Sequence, residues 1–280
     1  MQKSRLTNLI FMFLTLAVVA VFTFPFYWAA SLSIRSKQEA FTVSGVAVPF
    51  VQFTPTLENW QDQLAAGEIQ RALINSVIVA LCTSILVVIL GTPAAYVISR
   101  FKFKRPSNEG LTLWFLSQRV LPPVATAVPF YLVMANLGLL DTRTGLILLN
   151  ITFNLPFVVV IMRQAFLDLP IELEEAALVE GAGYMKIFYK IALPLTAPSL
   201  AASVLIVIAF TWNEFLFGLM IGDKNARVIP VQMALAVDTR GVQFWFLAVR
   251  ALIAMLPPVA IALIAQRYIV RGLTLGAVKG

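Results

Sequence analysis

The chain has 280 residues, 60% of them hydrophobic and only 12% charged. A soluble domain of this size carries roughly a quarter charged residues. The apolar excess comes in long blocks, so a bilayer explains it better than an outsized core, which would lack the polar surface to stay in solution. The net charge of +7 fits Lys- and Arg-rich cytoplasmic loops. The basic residues form no stripe interleaved with stacking aromatics, which argues against a nucleic-acid partner. The chain contains no His, which removes His-based acid–base chemistry and every His-containing metal motif. The lone Cys82 cannot form an internal disulfide and reads as a small core residue.

In chain order, the first apolar block covers about 6–34. It exceeds the roughly 7–15 residues of a secretory-signal apolar region and is expected to be a retained span, with Pro25 tolerated by neighbouring helices. Residues 38–71 are too polar to cross and read as an external loop with a short amphipathic piece at Leu57-Glu58-Asn59-Trp60. The second span is expected at 72–99, followed by the basic run Arg100-Phe101-Lys102-Phe103-Lys104-Arg105. The third, at 110–135, contains Arg119 and Pro122-Pro123 and should be bent. The fourth is expected at 144–162, the fifth at 199–221 and the sixth at 242–266, with a polar segment at 163–198 between the fourth and fifth. Each stretch reaches the ~20 residues a bilayer needs, the fourth barely. The expected fold is an all-α, six-span integral membrane protein forming one domain over 1–280. Lys and Arg are richer in the segments that are internal when the N-terminus is inside, so both termini are expected in the cytoplasm.

The segment 163–198 reads as two short cytoplasmic helices with a break. Asp168 is expected to cap the first, with Pro170 in its first turn. Glu172, Glu174 and Glu175 then lie where the helix dipole favours anions. Gly181-Ala182-Gly183 should end that helix. The second is expected to start near Tyr184 and stop at Pro194. Ala176 and Ala177 are small enough to let another surface approach. Read from the residues, the segment either transmits a push from a soluble partner or lies on the membrane surface.

The spacing of Glu175-Ala176-Ala177, Gly181, Ile191 and Leu193-Pro194 resembles the EAA loop of ABC importer permeases at every defined position, and it falls in the matching loop. Nearly the whole chain is similar to the carbohydrate branch of that family, in particular to the smaller permease of maltose-type importers. The pieces that carry this are Leu57-Glu58-Asn59-Trp60, Asn75-Ser76, Ala94-Ala95-Tyr96 with Arg100, Trp212-Asn213-Glu214-Phe215-Leu216, and the tail from Gly272 to Gly280. Glu180 departs from the Asp more often found before the glycine, with the charge kept.

The resemblance implies a type I importer fold and a coupling helix that docks on a cytosolic ATPase through Glu174, Glu175, Ala176, Ala177, Gly181, Ile191, Leu193 and Pro194. It also implies a second homologous permease, two ATPase subunits and an extracytoplasmic solute-binding protein, with membrane lipid around the spans. The chain has no phosphate-binding Gly-rich loop ending in Gly-Lys-Ser/Thr, so this subunit is not expected to be an enzyme or to bind a cofactor. ATP and Mg are expected on the partner. The implied cargo is a sugar or sugar-like solute. A phosphorylated polyol or other non-sugar is the alternative, and a stand-alone secondary carrier or an intramembrane hydrolase is more remote.

Within the spans, Glu214 and Arg250 lie at similar depth on antiparallel neighbours and could pair. Such a pair is either architectural or part of the solute path. Asn150 and Asn154 share a helix face and either meet sugar hydroxyls or join helices. Together with Asn213 and Glu214 they are the candidate solute-path residues. Trp212 and Trp245 could stack on a sugar ring, and Trp245 reads better as an interfacial anchor. Gly276, Ala277, Lys279 and Gly280 form a compact cytoplasmic tail that could contact the ATPase.

Overall fold

The computed structural model describes residues 5–43, 45–235, 237–238 and 241–277, with side chains for 7–43, 45–235 and 242–263. Its helices are α1 (Arg5–Ser33), α2 (Glu39–Thr42), α3 (Glu58–Ala65), α4 (Glu68–Arg100), α5 (Asn108–Val120), α6 (Pro123–Asn136), α7 (Arg143–Leu167), α8 (Glu172–Val179) and α9 (Tyr184–Ile187). A π-helical turn over Phe188–Ala192 leads into α10 (Leu193–Leu195), α11 (Ala197–Trp212), α12 (Leu216–Ile221), α13 (Ile229–Ala234) and α14 (Phe244–Ala277). Between α13 and α14, β1 (Val237–Asp238) pairs antiparallel with β2 (Gly241–Val242).

Four helical stretches are long and apolar enough to cross a bilayer: Thr7–Ser33, α4, α7 and Phe244–Leu263. The pair Tyr184–Leu195 and α11, bent by 77°, adds a fifth if it is one span, and α6 is apolar but shorter. The expected third span is two helices. Leu121 has extended backbone (φ −65°, ψ 122°), as a residue before proline prefers, and Pro122-Pro123 supplies no N–H to continue the ladder. The expected fifth span is also divided, at Asn213-Glu214-Phe215, into α11 and α12.

The chain falls into two compact units, one made of the chain up to Gln70 with Gln232–Leu256, the other of Arg71–Val231 with the chain from Pro257. In the first, Arg35 is 2% exposed. It donates to Val43 O (3.0 Å) and Ser31 Oγ (3.0 Å), and its guanidinium lies over the rings of Phe53 (5.1 Å) and Trp28 (5.9 Å). Aromatic faces here replace a carboxylate as the cation's support. Asn59 donates to Ser33 O and Arg35 O, and Trp60 Nε1 to Ser33 Oγ. The amphipathic piece expected at 57–60 is therefore α3, pinned to the end of α1.

The second unit has two apolar clusters. One joins Val87, Ala95, Tyr96 and Ile98 of α4 to Val158, Val159, Met162 and Phe166 of α7, with Phe188, Ala192 and Val207. Gly91 makes that contact close: a Cβ there would sit 3.1 Å from Val158 Cγ1 and 3.3 Å from Leu155 Cδ1. The other joins Val79, Met134, Leu146 and Leu149 to Phe217, Ile221, Ala226, Val228 and Val231. Polar side chains tie loops to this second cluster. Asn75 donates to Asn225 O and Arg227 O (both 2.8 Å), and Ser76 Oγ accepts from Ile229 N (2.8 Å). Asp141 accepts from the backbone N–H groups of Asp223, Asn225 and Ala226 and from Asn225 Nδ2, all at 2.8–3.0 Å.

Partial burial pushes the Asp141 carboxyl up, but those N–H donors outweigh it and hold the group below its ordinary value. A lowered carboxyl pKa contributes stability that is complete above the unfolded value, near pH 4, and is lost as pH falls through the folded one. Asp141→Asn should lower the melting temperature of the purified protein at pH 7, and the gap to wild type should close below about pH 4. A gap unchanged between pH 7 and the most acid point measured would show that the charge is not what holds residues 222–226.

Candidate functional site

The segment between α7 and α11 differs in detail from the sequence reading. Asp168 closes α7 as its C-cap and accepts from Gln164 Nε2, rather than opening α8. The N-cap of α8 is Ile171, whose carbonyl accepts from Glu174 and Glu175 N–H, and no side chain caps the end. Pro170 thus precedes the first turn. Glu172, Glu174 and Glu175 occupy that turn as expected. Pro194 does not stop the second helix. It sits in the first turn of α10, directly after the π-helical turn. Proline cannot donate to the carbonyl four residues back, and a widened turn accommodates that loss without ending the helix. The chain breaks two residues later, at Thr196.

Gly181 has φ +83°. Its N–H donates to Leu178 O and the N–H of Ala182 to Ala177 O, both at 2.9 Å. These are the two bonds of a Schellman stop, which needs a left-handed residue at this position.

The two faces of α8 differ. Ala176, Glu175, Leu173 and Val179 are exposed, the last at 90%. Glu174 is 5% exposed and points the other way. Its Oε1 accepts from Arg100 Nε and Nη2, both at 2.8 Å, and its Oε2 accepts from the Tyr96 hydroxyl at 2.7 Å. Arg100 Nη2 also reaches Leu169 O. Of the ion pairs among the described residues, this one alone has both side chains under a tenth exposed, at 8% and 6%. Glu174 therefore makes its contacts within its own subunit. Ile191 and Leu193 are half-buried and Pro194 is exposed, while Phe188 and Ala192 enter the α4–α7 cluster. The sequence named Glu174 but missed Arg100 and Tyr96 as its partners. Their signal was present: a Tyr and an Arg four apart at the end of an apolar helix lie on one face.

The four candidate solute-path residues line one cavity of about 350 Å³. Asn150 and Asn154 are buried on α7, and each donates to the carbonyl one turn back at 2.9 Å. Asn154 Nδ2 also lies 3.4 Å from Thr211 Oγ1. Asn213 ends α11, donating to Ala209 O. Glu214 accepts from the N–H groups of Phe217 (2.8 Å) and Gly218 (3.0 Å), which start α12. Arg250 donates instead to Gln63 Oε1 (2.7 Å) and Gln232 O (2.8 Å). Each group has its hydrogen bonds within its own unit, Glu214 with the start of α12 and Arg250 with Gln63 and Gln232. The sequence reading missed the Glu214 contact because it took 199–221 as one unbroken helix. A fifth polar side chain, Arg119, lines the same cavity. Of the tail, Gly276 and Ala277 close α14, while Lys279 and Gly280 lie outside the described residues.

Residues 88–275, which include α8, its Schellman stop and the cavity-lining positions, match the family described as binding-protein-dependent transport system inner membrane component. The chain belongs to that family. The permease is 34% identical to the trehalose transport system permease protein SugB of Mycobacterium tuberculosis, over 94% of each chain. It is 31% identical to the trehalose/maltose transport system permease protein MalG of Thermococcus litoralis, over the full length of both. Its fold matches a chain of a bacterial ABC transporter involved in import of the acidic polysaccharide alginate, with a TM-score of 0.73 and 21% identity over 96% of this chain and 99% of that one. It is a multi-pass component of the bacterial inner membrane, with a transport rather than a catalytic role.

Proposed function

We propose that this permease forms half of the path of an ATP-driven sugar importer. A second homologous permease completes the path, two ATPase subunits carrying ATP and Mg bind on the cytoplasmic side, and an extracytoplasmic binding protein delivers the solute. The names of the relatives support sugar as cargo. The Lys and Arg distribution supports six spans with both ends inside, α5 with α6 serving as the third and α11 with α12 as the fifth.

The observation that carries the reading is the two-faced helix α8. Its outer face offers Leu173, Ala176 and Val179 with Glu175, an apolar surface with one carboxylate suited to a cleft on the ATPase. Its inner face is bolted by Glu174 to the end of α4, and the turn that follows is packed into the α4–α7 cluster. A packed, ion-paired contact moves as a body rather than deforming. A displacement of α8 by ATPase closure is therefore passed to the spans. ATP binding changes the state of the spans only by as much as the contacts at α8 differ in free energy between the two states.

The test is uptake of labelled trehalose and maltose by cells that carry the whole importer, with glycerol 3-phosphate as the polyol control. Sugar uptake that needs both the ATPase and the binding protein is expected. Uptake of glycerol 3-phosphate in place of the sugars would overturn the cargo, and uptake by this chain alone would overturn the coupling. The tail is proposed to contact the ATPase. Deleting Gly276 to Gly280 should lower transport-coupled ATP hydrolysis while the complex still assembles, and undiminished coupling would remove the tail from the mechanism.

A further inference from the structure

Arg119 ends α5 inside an apolar stretch, and nothing in the coupling segment uses it. A cation at membrane depth is costly unless it is paired or wetted. Among the described residues it has no carboxylate within ion-pair distance. Its guanidinium instead lies 4.1 Å from the centroid of the Phe157 ring and 5.3 Å from that of Phe210, two rings stacked at 4.9 Å. Nη1 donates to Phe153 O at 2.9 Å. A guanidinium has five N–H donors in a flat fork, so the protein holds the group in place while leaving most of its donors to the cavity. On the same wall, Asn154 is 3% exposed, and its Oδ1 is a buried acceptor without a hydrogen-bond partner. Leaving such an atom unmet costs about 1–3 kcal/mol. The cavity therefore brings together unused donors and the ring of Phe153, within a volume of about 350 Å³ that suits a small ligand, while the Asn154 oxygen is closed to solvent.

We propose that this cavity is a subsite for one neutral sugar ring on the import path. Two adjacent hydroxyls of the ring accept from Arg119, a third donates to the Asn154 amide oxygen once that side chain turns to the cavity, and the ring's C–H face rests on Phe153. Neutral rather than acidic sugar is the choice because Glu214 lines the same cavity and offsets the charge of Arg119. A carboxylate on the ring would meet Glu214 as well as the cation. The proposal rests on the sugar-importer reading above. It adds that this subunit itself grips the solute, rather than only enclosing it.

The experiment uses the assembled importer with Cys82→Ser and Asn213→Cys, since Asn213 is exposed and lines the cavity. The rate of Cys labelling by a small methanethiosulfonate is measured with and without saturating sugar. The sugar is whichever of trehalose, maltose, melibiose or galacturonate is carried fastest. A neutral sugar should slow labelling about tenfold, and Arg119→Gln or Asn154→Leu should each remove that protection, as expected for a lost hydrogen bond to a charged or buried group. Arg119→Lys, which keeps the charge but loses the fork, should keep assembly and lose most of the protection. It carries the test if Arg119→Gln fails to assemble. Uptake with no protection, or protection that survives Arg119→Lys and Asn154→Leu, overturns the subsite and leaves the importer reading intact. Faster uptake of galacturonate overturns the choice of a neutral ring. Uptake of none of the four overturns the sugar reading and this proposal with it.

Discussion

Glu174→Gln should reduce solute uptake by more than tenfold while the chain still inserts in the membrane. The glutamine keeps the shape but leaves Arg100 as an unpaired cation in a site where both partners are under a tenth exposed. Removing one partner of a buried pair costs about 3–5 kcal/mol, because the desolvated charge that remains is uncompensated. A tenfold change corresponds to about 1.4 kcal/mol, so half of that cost, about 1.5–2.5 kcal/mol spent on displacing α8, is enough for the effect predicted. The spans hold their own backbone hydrogen bonds and do not depend on this contact. The measurement is uptake beside co-purification of the ATPase with the tagged permease. Replacing both partners, as Arg100→Met with Glu174→Met, should recover part of the loss, since an apolar pair of similar volume carries no stranded charge. Wild-type uptake by Glu174→Gln would mean that α8 is not driven through this bridge. A double variant no better than the single one would mean that the charge itself is needed.

The second large effect is expected at Gly181. A non-glycine residue in left-handed backbone costs about 1–2 kcal/mol, and a β-branched one is a true outlier there. A Cβ built at Gly181 meets nothing within 4 Å, so the cost inside the permease comes from the backbone alone. This separates variants by conformation rather than by size. Gly181→Asn, which tolerates the left-handed region, should retain most ATPase binding and uptake. Gly181→Val should insert normally but lose both, because the Schellman stop no longer sets the exit of the chain from α8. Glu175→Lys should act in the same direction by placing a cation in the first turn of the helix. If Gly181→Val keeps the ATPase and full transport, the segment does not couple. If Gly181→Asn fails as completely as Gly181→Val, the lost space rather than the backbone decides, and the docking surface lies closer to Gly181 than to Ala176.

Much of this permease is set by short-range properties of its chain. The apolar blocks that became α1, α4, α7 and the first part of α14 follow from bilayer thickness and helical rise. Gly181 was legible as a helix stop because one residue's φ preference decides it. The break in the expected third span follows from Pro122-Pro123. The Glu214 cap on α12 was legible in principle, since it spans only three and four residues, but it shows itself only once the α11–α12 break is seen.

Other features were decided by which helix faces meet. Glu174 lies 74 residues from Arg100 and 78 from Tyr96. The sequence gives each of them a polar or charged side chain and no reason to choose that partner. Arg119 could equally have been an interfacial anchor until the stacked rings of Phe157 and Phe210, from two other helices, came up against its guanidinium. Arg250 is held by Gln63 and the Gln232 carbonyl, 187 and 18 residues away along the chain, and a guanidinium takes whichever acceptors packing brings within its reach. Periodicity fixes which residues share a face along one helix. The orientation of that face against its neighbours is a product of packing the whole unit, and it is this that turns a list of polar residues in apolar spans into a bridge and a cavity.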